Sequence, residues 1–120
     1  MQDYKVEIEE KIKYGFIEII ILLLLKSEDM YGYQIVQEIE KRSNGTIIVK
    51  EGSLYGPLYR LEKKNYVSTK KELVGKKRFR NYYHMEADGL KYLEYALETF
   101  KSFSFGLESI FNWKEPKNEK

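Results

Sequence analysis

Nine basic side chains fall between Arg60 and Arg80: Arg60, Lys63, Lys64, Lys70, Lys71, Lys76, Lys77, Arg78 and Arg80. Only Glu62 and Glu72 oppose them, a balance of +7 over 21 residues in a chain whose formal charge is +2, so the remainder sums to −5. Such a cluster offers neutralisation of a polyanion, for which a local footprint of one sign matters more than net charge. Just upstream, Tyr55 and Tyr59 interleave with Arg60 and Lys63. A phenol can give its hydroxyl to a phosphate or its ring to a base methyl. Reagents for catalysis are scarce. There is no cysteine, so disulfides and thiolate metal sites are excluded, and the one histidine, His84, cannot by itself build a zinc site or a Ser/His/Asp triad. No nucleophile–base pair, metal cluster or phosphate loop stands out. No catalytic residue, metal ligand or cofactor is therefore expected, and His84 reads as a solvated strand residue.

The elements that must hold these groups follow from periodicity. Gly52 or Ser53 starts a helix running to about Lys64, with Ser53 as the better N-cap and Pro57 tolerated in the opening turn. At 100° per residue, Leu54, Leu58 and Leu61 fall on the inward edge. Gly56, Tyr59, Arg60 and Lys63 fall on the outward edge, with Tyr55 at its border. Gly56 would let a backbone approach closely, and Ser53 and the helix N-terminus could donate to a phosphate. Tyr66 to Leu73 and Phe79 to Met85 read as two strands joined by Gly75, Lys76 and Lys77. A polar hairpin with Lys76, Lys77, Arg78 and Arg80 at its tip can lie along a sugar-phosphate backbone or enter a minor groove. A solvated, charge-protected edge hairpin is the plainer alternative. Of Tyr82 and Tyr83, one should plug the core and the other pack near the last helix, because alternation sends them to opposite faces.

Around this unit lie three more helical segments. Tyr4 to Lys26 is amphipathic early, with Ile8, Ile12 and Phe16 at helical spacing, and apolar on nearly every side in FIEIIILLLL. Met30 to Arg42 places Ile35, Val36 and Ile39 inward and stops at Ser43-Asn44-Gly45. Thr46 to Val49 is a short β-branched segment. From Glu86 to Phe111, Leu90, Leu93, Leu97, Phe100, Ser104, Leu107 and Phe111 are spaced 3, 4, 3, 4, 3, 4, a seam with one polar interruption. Residues 1–85 thus form a winged helix-turn-helix with an N-terminal helix, 86–112 a dimerisation helix, and 113–120 a polar tail. The fold class is mainly α with a small β-hairpin. The start MQDYKVEIEEK is polar and has no signal-peptide pattern. The longest apolar run, Ile19 to Leu25, is seven residues, against roughly 20 for a bilayer span. A cytoplasmic location and no membrane partner are expected.

At these residues the chain resembles the PadR family of bacterial transcriptional regulators, in its compact branch with a single C-terminal helix. The match runs through GFIEIIILLLL, MYGYQIVQEIEKRSNG (30–45), GSLYGPLYRLEKKNYV (52–67) and GKKRFRNYYHMEADG (75–89). The order of Tyr31-Gly32-Tyr33, Ser53-Leu54-Tyr55, Arg60-Leu61-Glu62 and Tyr82-Tyr83 is its specific part. The resemblance implies a homodimer whose C-terminal helix packs against the partner, an inverted-repeat operator in double-stranded DNA, and repression until a small molecule or stress signal releases it. In some compact members a tryptophan midway along the last helix stacks on flat drugs. Phe100 stands at that place here, and Glu86 stands where the family commonly opens the last helix with threonine.

The residues expected to touch DNA are Tyr33, Ser53, Tyr55, Gly56, Tyr59, Arg60, Lys63, Lys76, Lys77, Arg78 and Arg80. Those expected at a dimer interface are Ile19, Ile20, Leu23, Leu90, Leu93, Leu97, Phe100, Leu107 and Phe111. A small aromatic or hydrophobic effector would meet Phe16, Ile20, Phe100 and Phe103, although aromatics at helical spacing are also ordinary core. Two alternatives are a winged-helix protein-interaction module without DNA binding and a constitutive repressor with no effector.

Overall fold

Asp3 opens the first helix by accepting the backbone N–H groups of Lys5 and Val6, at 3.1 and 3.3 Å, an N-cap that satisfies two of the donors a helix start leaves free. The computed structural model describes residues 3–116. The order is α1 (Tyr4–Ser27), β1 (Met30–Tyr31), α2 (Gly32–Arg42), a 3-10 turn (Glu51–Ser53), α3 (Tyr55–Lys63), β2 (Val67–Val74), β3 (Arg78–Met85) and α4 (Ala87–Phe111). This is the winged helix-turn-helix, mainly α with a small antiparallel sheet. Of the polar tail, residues 113–116 carry no regular structure, and 117–120 lie outside the described residues.

One core runs from Ile17 to Leu93, with Leu97 packed against it. Ile17, Ile21, Leu22, Leu24 and Leu25 of α1 meet Ile35 and Ile39 of α2, Leu54, Leu58 and Leu61 at α3, and Val67 and Tyr83 from the hairpin. α1 is covered by its own chain more fully than its composition suggests: of the seven residues Ile19 to Leu25, only Leu23 stays exposed. Ile8 and Ile12, by contrast, stand exposed, because the N-terminal half of α1 projects beyond the core.

Two local expectations are corrected. Met30 and Tyr31 form a two-residue strand rather than the first turn of α2, pairing with Tyr83 and Tyr82 to give the sheet order β1-β3-β2. The β-branched segment 46–49 carries neither helix nor strand and buries Val49. Ser53 does not cap α3. The 3-10 turn runs straight into the helix, and Leu54, already in the right-handed helical region, precedes it without a side-chain cap. At its other end, α3 stops where Asn65 takes φ +62. The Tyr66 N–H then donates back to Leu61 O at 3.0 Å, the closing turn that asparagine tolerates, and the chain leaves directly into the hairpin.

The wing is in register throughout, from Val67 opposite Met85 to Val74 opposite Arg78, with Gly75 at φ +73 in its turn. α4 seats on the body through Gly89 and Leu93, its two buried residues. The Glu86 N–H donates to Tyr66 O at 2.9 Å, and the Tyr66 and Tyr92 rings stack at 4.7 Å. Glu86 contributes its backbone to this junction and no side-chain cap.

Candidate nucleic-acid interface

Burial of Leu54, Leu58 and Leu61 rotates the opposite edge of α3 into solvent. Tyr55, Gly56, Tyr59, Arg60 and Lys63 are all exposed along it. They do not hang free. The Lys63 ammonium lies 5.7 Å from the centre of the Tyr59 ring. Tyr55 donates its hydroxyl to Glu51 Oε2 at 3.1 Å. That hydrogen bond to a carboxylate holds the phenol above its ordinary pKa. Arg60 folds back along the helix, so that a β-carbon at Gly56 would stand 3.6 Å from its Nη1. Its Nε meets Glu18 Oε2 of α1 at 3.3 Å. Ser53 is half-buried in the 3-10 turn.

The hairpin carries most of the remaining charge. Lys70 pairs with Glu72 at 3.7 Å, and the Arg80 guanidinium lies 4.1 Å over the ring of Tyr31. Lys64, Lys71, Lys76, Lys77 and Arg78 are exposed. Among the described residues, none of these five has an acidic group within ion-pair distance. Tyr83 plugs the core, as one of the two tyrosines was expected to. Its neighbour packs on β1: the Tyr82 ring meets Tyr31 edge-on at 5.5 Å, because their strand positions face each other directly. His84 is exposed yet paired, its Nδ1 lying 2.7 Å from Asp29 Oδ1, which ties the loop after α1 to β3. Tyr33 is exposed on the first turn of α2. It lines a shallow depression with Gln37, Lys41 and Asn44, and among the described residues no hydrogen bond or ring contact links it to α3 or the hairpin.

A second feature lies between α1 and α4. An open groove of about 380 Å³ is lined by Phe16, Ile19, Tyr92, Tyr95, Ala96, Thr99, Phe100 and Phe103. Three of the four residues expected there line it, with Ile19 in place of Ile20. Phe16 and Phe100 meet edge-on at 5.2 Å, and Phe100 remains 44% exposed. Among the residues expected at a dimer interface, Leu93 is fully buried in its own chain and has no surface left for a partner.

Comparison with known proteins decides the class. The model of the transcriptional regulator PadR-like family matches residues 21–95, which takes in α2, α3, the whole wing and the seat of α4. This chain belongs to that family. An uncharacterised protein of Lysinibacillus sphaericus is 39% identical to it over 79 residues, 66% of this chain and 72% of the relative. A transcriptional regulator from Clostridium thermocellum superposes with a TM-score of 0.77 at 29% identity, over 82% of this chain and 96% of that one. A PadR family regulator from Clostridium difficile does so with a TM-score of 0.71 at 26% identity, over 82% and 100%. As a PadR-family member the chain is a transcriptional regulator that acts through DNA, not an enzyme. Among the described residues, no helix is long and apolar enough to cross a membrane.

Sequence reading missed the acidic partners in this PadR surface. Glu18 was legible in one respect, as the single charge within FIEIIILLLL, a place where an unpaired carboxylate would be costly. Glu51 stands four residues before Tyr55, the spacing at which helical side chains meet.

Proposed function

We propose that the protein is a homodimeric, cytoplasmic repressor that binds an inverted-repeat operator and is released by a small flat hydrophobic ligand. The observation that carries the DNA part is the joining of two features on one unit. An exposed aromatic and cationic edge of α3 is followed at once by a hairpin whose Lys71, Lys76, Lys77 and Arg78 have, among the described residues, no acidic partner. The helix edge reads base edges in a major groove, and the wing neutralises phosphates. Twofold symmetry would place two α3 helices on two half-sites.

The dimer part rests on apolar surface. Tyr4, Val6, Ile8 and Ile12 of α1 and Phe103, Phe105, Leu107, Ile110 and Phe111 of α4 are all exposed, more apolar surface than a monomer ordinarily leaves to water. Together with Leu23, Leu90, Leu97 and Phe100 these residues form the interface. The effector part rests on the groove between the same two helices, whose walls suit a flat aromatic molecule. Such a ligand acts by binding one dimer geometry better than the other.

The test is a gel-shift titration of the duplex upstream of the protein's own coding region, with and without a panel of flat aromatic cations. Tight binding relieved by at least one ligand supports the full reading. A second reading, a repressor without effector, is favoured by the Phe16–Phe100 contact, which already occupies part of the groove. Operator binding unmoved by every ligand would select it. No preference for the upstream duplex over random DNA would sink both.

A further inference from the structure

The wing carries a feature that neutralising phosphates does not require. Leu73 and Phe79 face each other across the hairpin, next to its turn, and are 58% and 67% exposed. Alternation puts them on the sheet face that carries the buried Val67 and Tyr83. That face runs past the end of the core, so the pair forms an apolar patch that none of the described residues covers. Its surroundings are cationic: Lys71 lies on the same face two residues before Leu73, Lys76 and Lys77 form the turn, and Arg78 adjoins Phe79. All four are exposed and, among the described residues, have no acidic partner.

We infer that Leu73 and Phe79 form an apolar wedge that enters the minor groove of DNA beside the site read by α3. The inference rests on the DNA-binding reading above and adds a separate contact to it. Charge complementarity selects this occupant. A minor groove is a channel floored by base edges and walled by deoxyribose, between two rails of phosphate. Cations flanking an apolar pair match that arrangement, with lysines and Arg78 on the rails and the Phe79 ring against the sugars. Apolar side chains serve architectural proteins in this way. A cationic contact releases counterions and weakens as salt rises, whereas an apolar contact does not. The two contributions therefore separate on one plot.

The experiment measures binding of the full chain to its upstream duplex across a series of salt concentrations. The variants are Phe79→Thr, which keeps a strand-forming residue, Phe79→Leu and Lys77→Ala. Phe79→Thr should lower affinity by about tenfold at every salt concentration, leaving the slope of log K against log salt unchanged. Phe79→Leu should restore most of the loss. Lys77→Ala should flatten the slope instead. Retention on heparin, a polyanion without grooves, should fall for Lys77→Ala and stay unchanged for Phe79→Thr. The loss should be larger on poly(dA-dT) than on poly(dG-dC), whose minor groove carries the guanine amino group. Wild-type affinity for Phe79→Thr at all salts, or a loss matched by lowered thermal stability and not rescued by leucine, would overturn the wedge while leaving DNA binding intact. Failure of the wild type to bind any duplex would overturn both.

Discussion

Arg60 stands on the edge of α3 proposed to meet DNA, and it is already engaged by its own chain. Its Nε meets Glu18 on α1, and its guanidinium lies over Gly56, so it reaches the surface already committed to one pose. An ion pair this exposed contributes little to stability, about 0–1 kcal/mol. Glu18→Gln should therefore leave the melting temperature nearly unchanged. It should steepen the salt dependence on random DNA by about one unit, because the freed guanidinium can take a phosphate. Fluorescence anisotropy across a salt series reads this, and an unchanged slope would mean that Glu18 does not restrain Arg60. The wing cations behave differently. Lys77 and Arg78 have no acidic partner among the described residues, so Lys77→Ala and Arg78→Ala should each flatten the slope by about one unit on any sequence. Tyr59→Ala should instead lower the ratio of operator to random affinity, with little change in slope. Equal losses on both duplexes would move Tyr59 from base reading to phosphate contact.

The position of α4 relative to the wing depends on one residue without a side chain. A β-carbon at Gly89 would stand 2.2 Å from Tyr66 O and 3.2 Å from the Met85 side chain, so α4 can sit on the end of β2 only with glycine there. Gly89→Ala should cost about 1–3 kcal/mol in urea unfolding. It should also weaken operator binding more than random binding, because in the proposed dimer α4 would set the spacing between the two α3 helices. Full stability in that variant would mean that α4 does not seat as described. The main elements were legible before the fold was known. α1, α3 and α4 each repeat apolar residues at helical spacing over two or more turns, α2 is marked by Ile35, Val36 and Ile39 and its Ser43-Asn44-Gly45 stop, and Gly75-Lys76-Lys77 marks the hairpin turn. β1 was not legible, because two residues hold no period and Met30–Tyr31 becomes a strand only when β3 lies beside it. The 3-10 turn was hidden by the serine at position 53, which reads as a cap in sequence but is preceded here by a chain already coiling. Of the expected DNA-contact residues, those on α3 and at the wing tip share exposed surface. Arg80 is drawn back over Tyr31 by strand pairing, which sequence spacing alone does not display.

At the scale of the whole molecule the chain is long for its size. Its radius of gyration is 18.4 Å and its extents are 79 × 39 × 24 Å, whereas a compact domain of this length would have a radius of roughly 13–14 Å. The excess comes from the first half of α1 and the last half of α4, which project with apolar side chains exposed. Two chains pairing through these arms would cover them. Leu107, 40% exposed on α4, lies on that surface and outside the monomer core. Leu107→Asp should therefore give folded monomers in sedimentation at micromolar concentration, with unchanged wing and α3 but lost operator affinity. A variant that stays dimeric would place the interface elsewhere. The central claim is that α3 and the wing of a paired regulator read one operator. It is tested most directly by titrating the wild-type protein against its own upstream duplex and a scrambled duplex of the same composition, across a salt series. The account predicts a steep negative slope on both duplexes and tighter binding to the upstream one at every salt concentration. Equal affinity for the two, or affinity independent of salt, would contradict it.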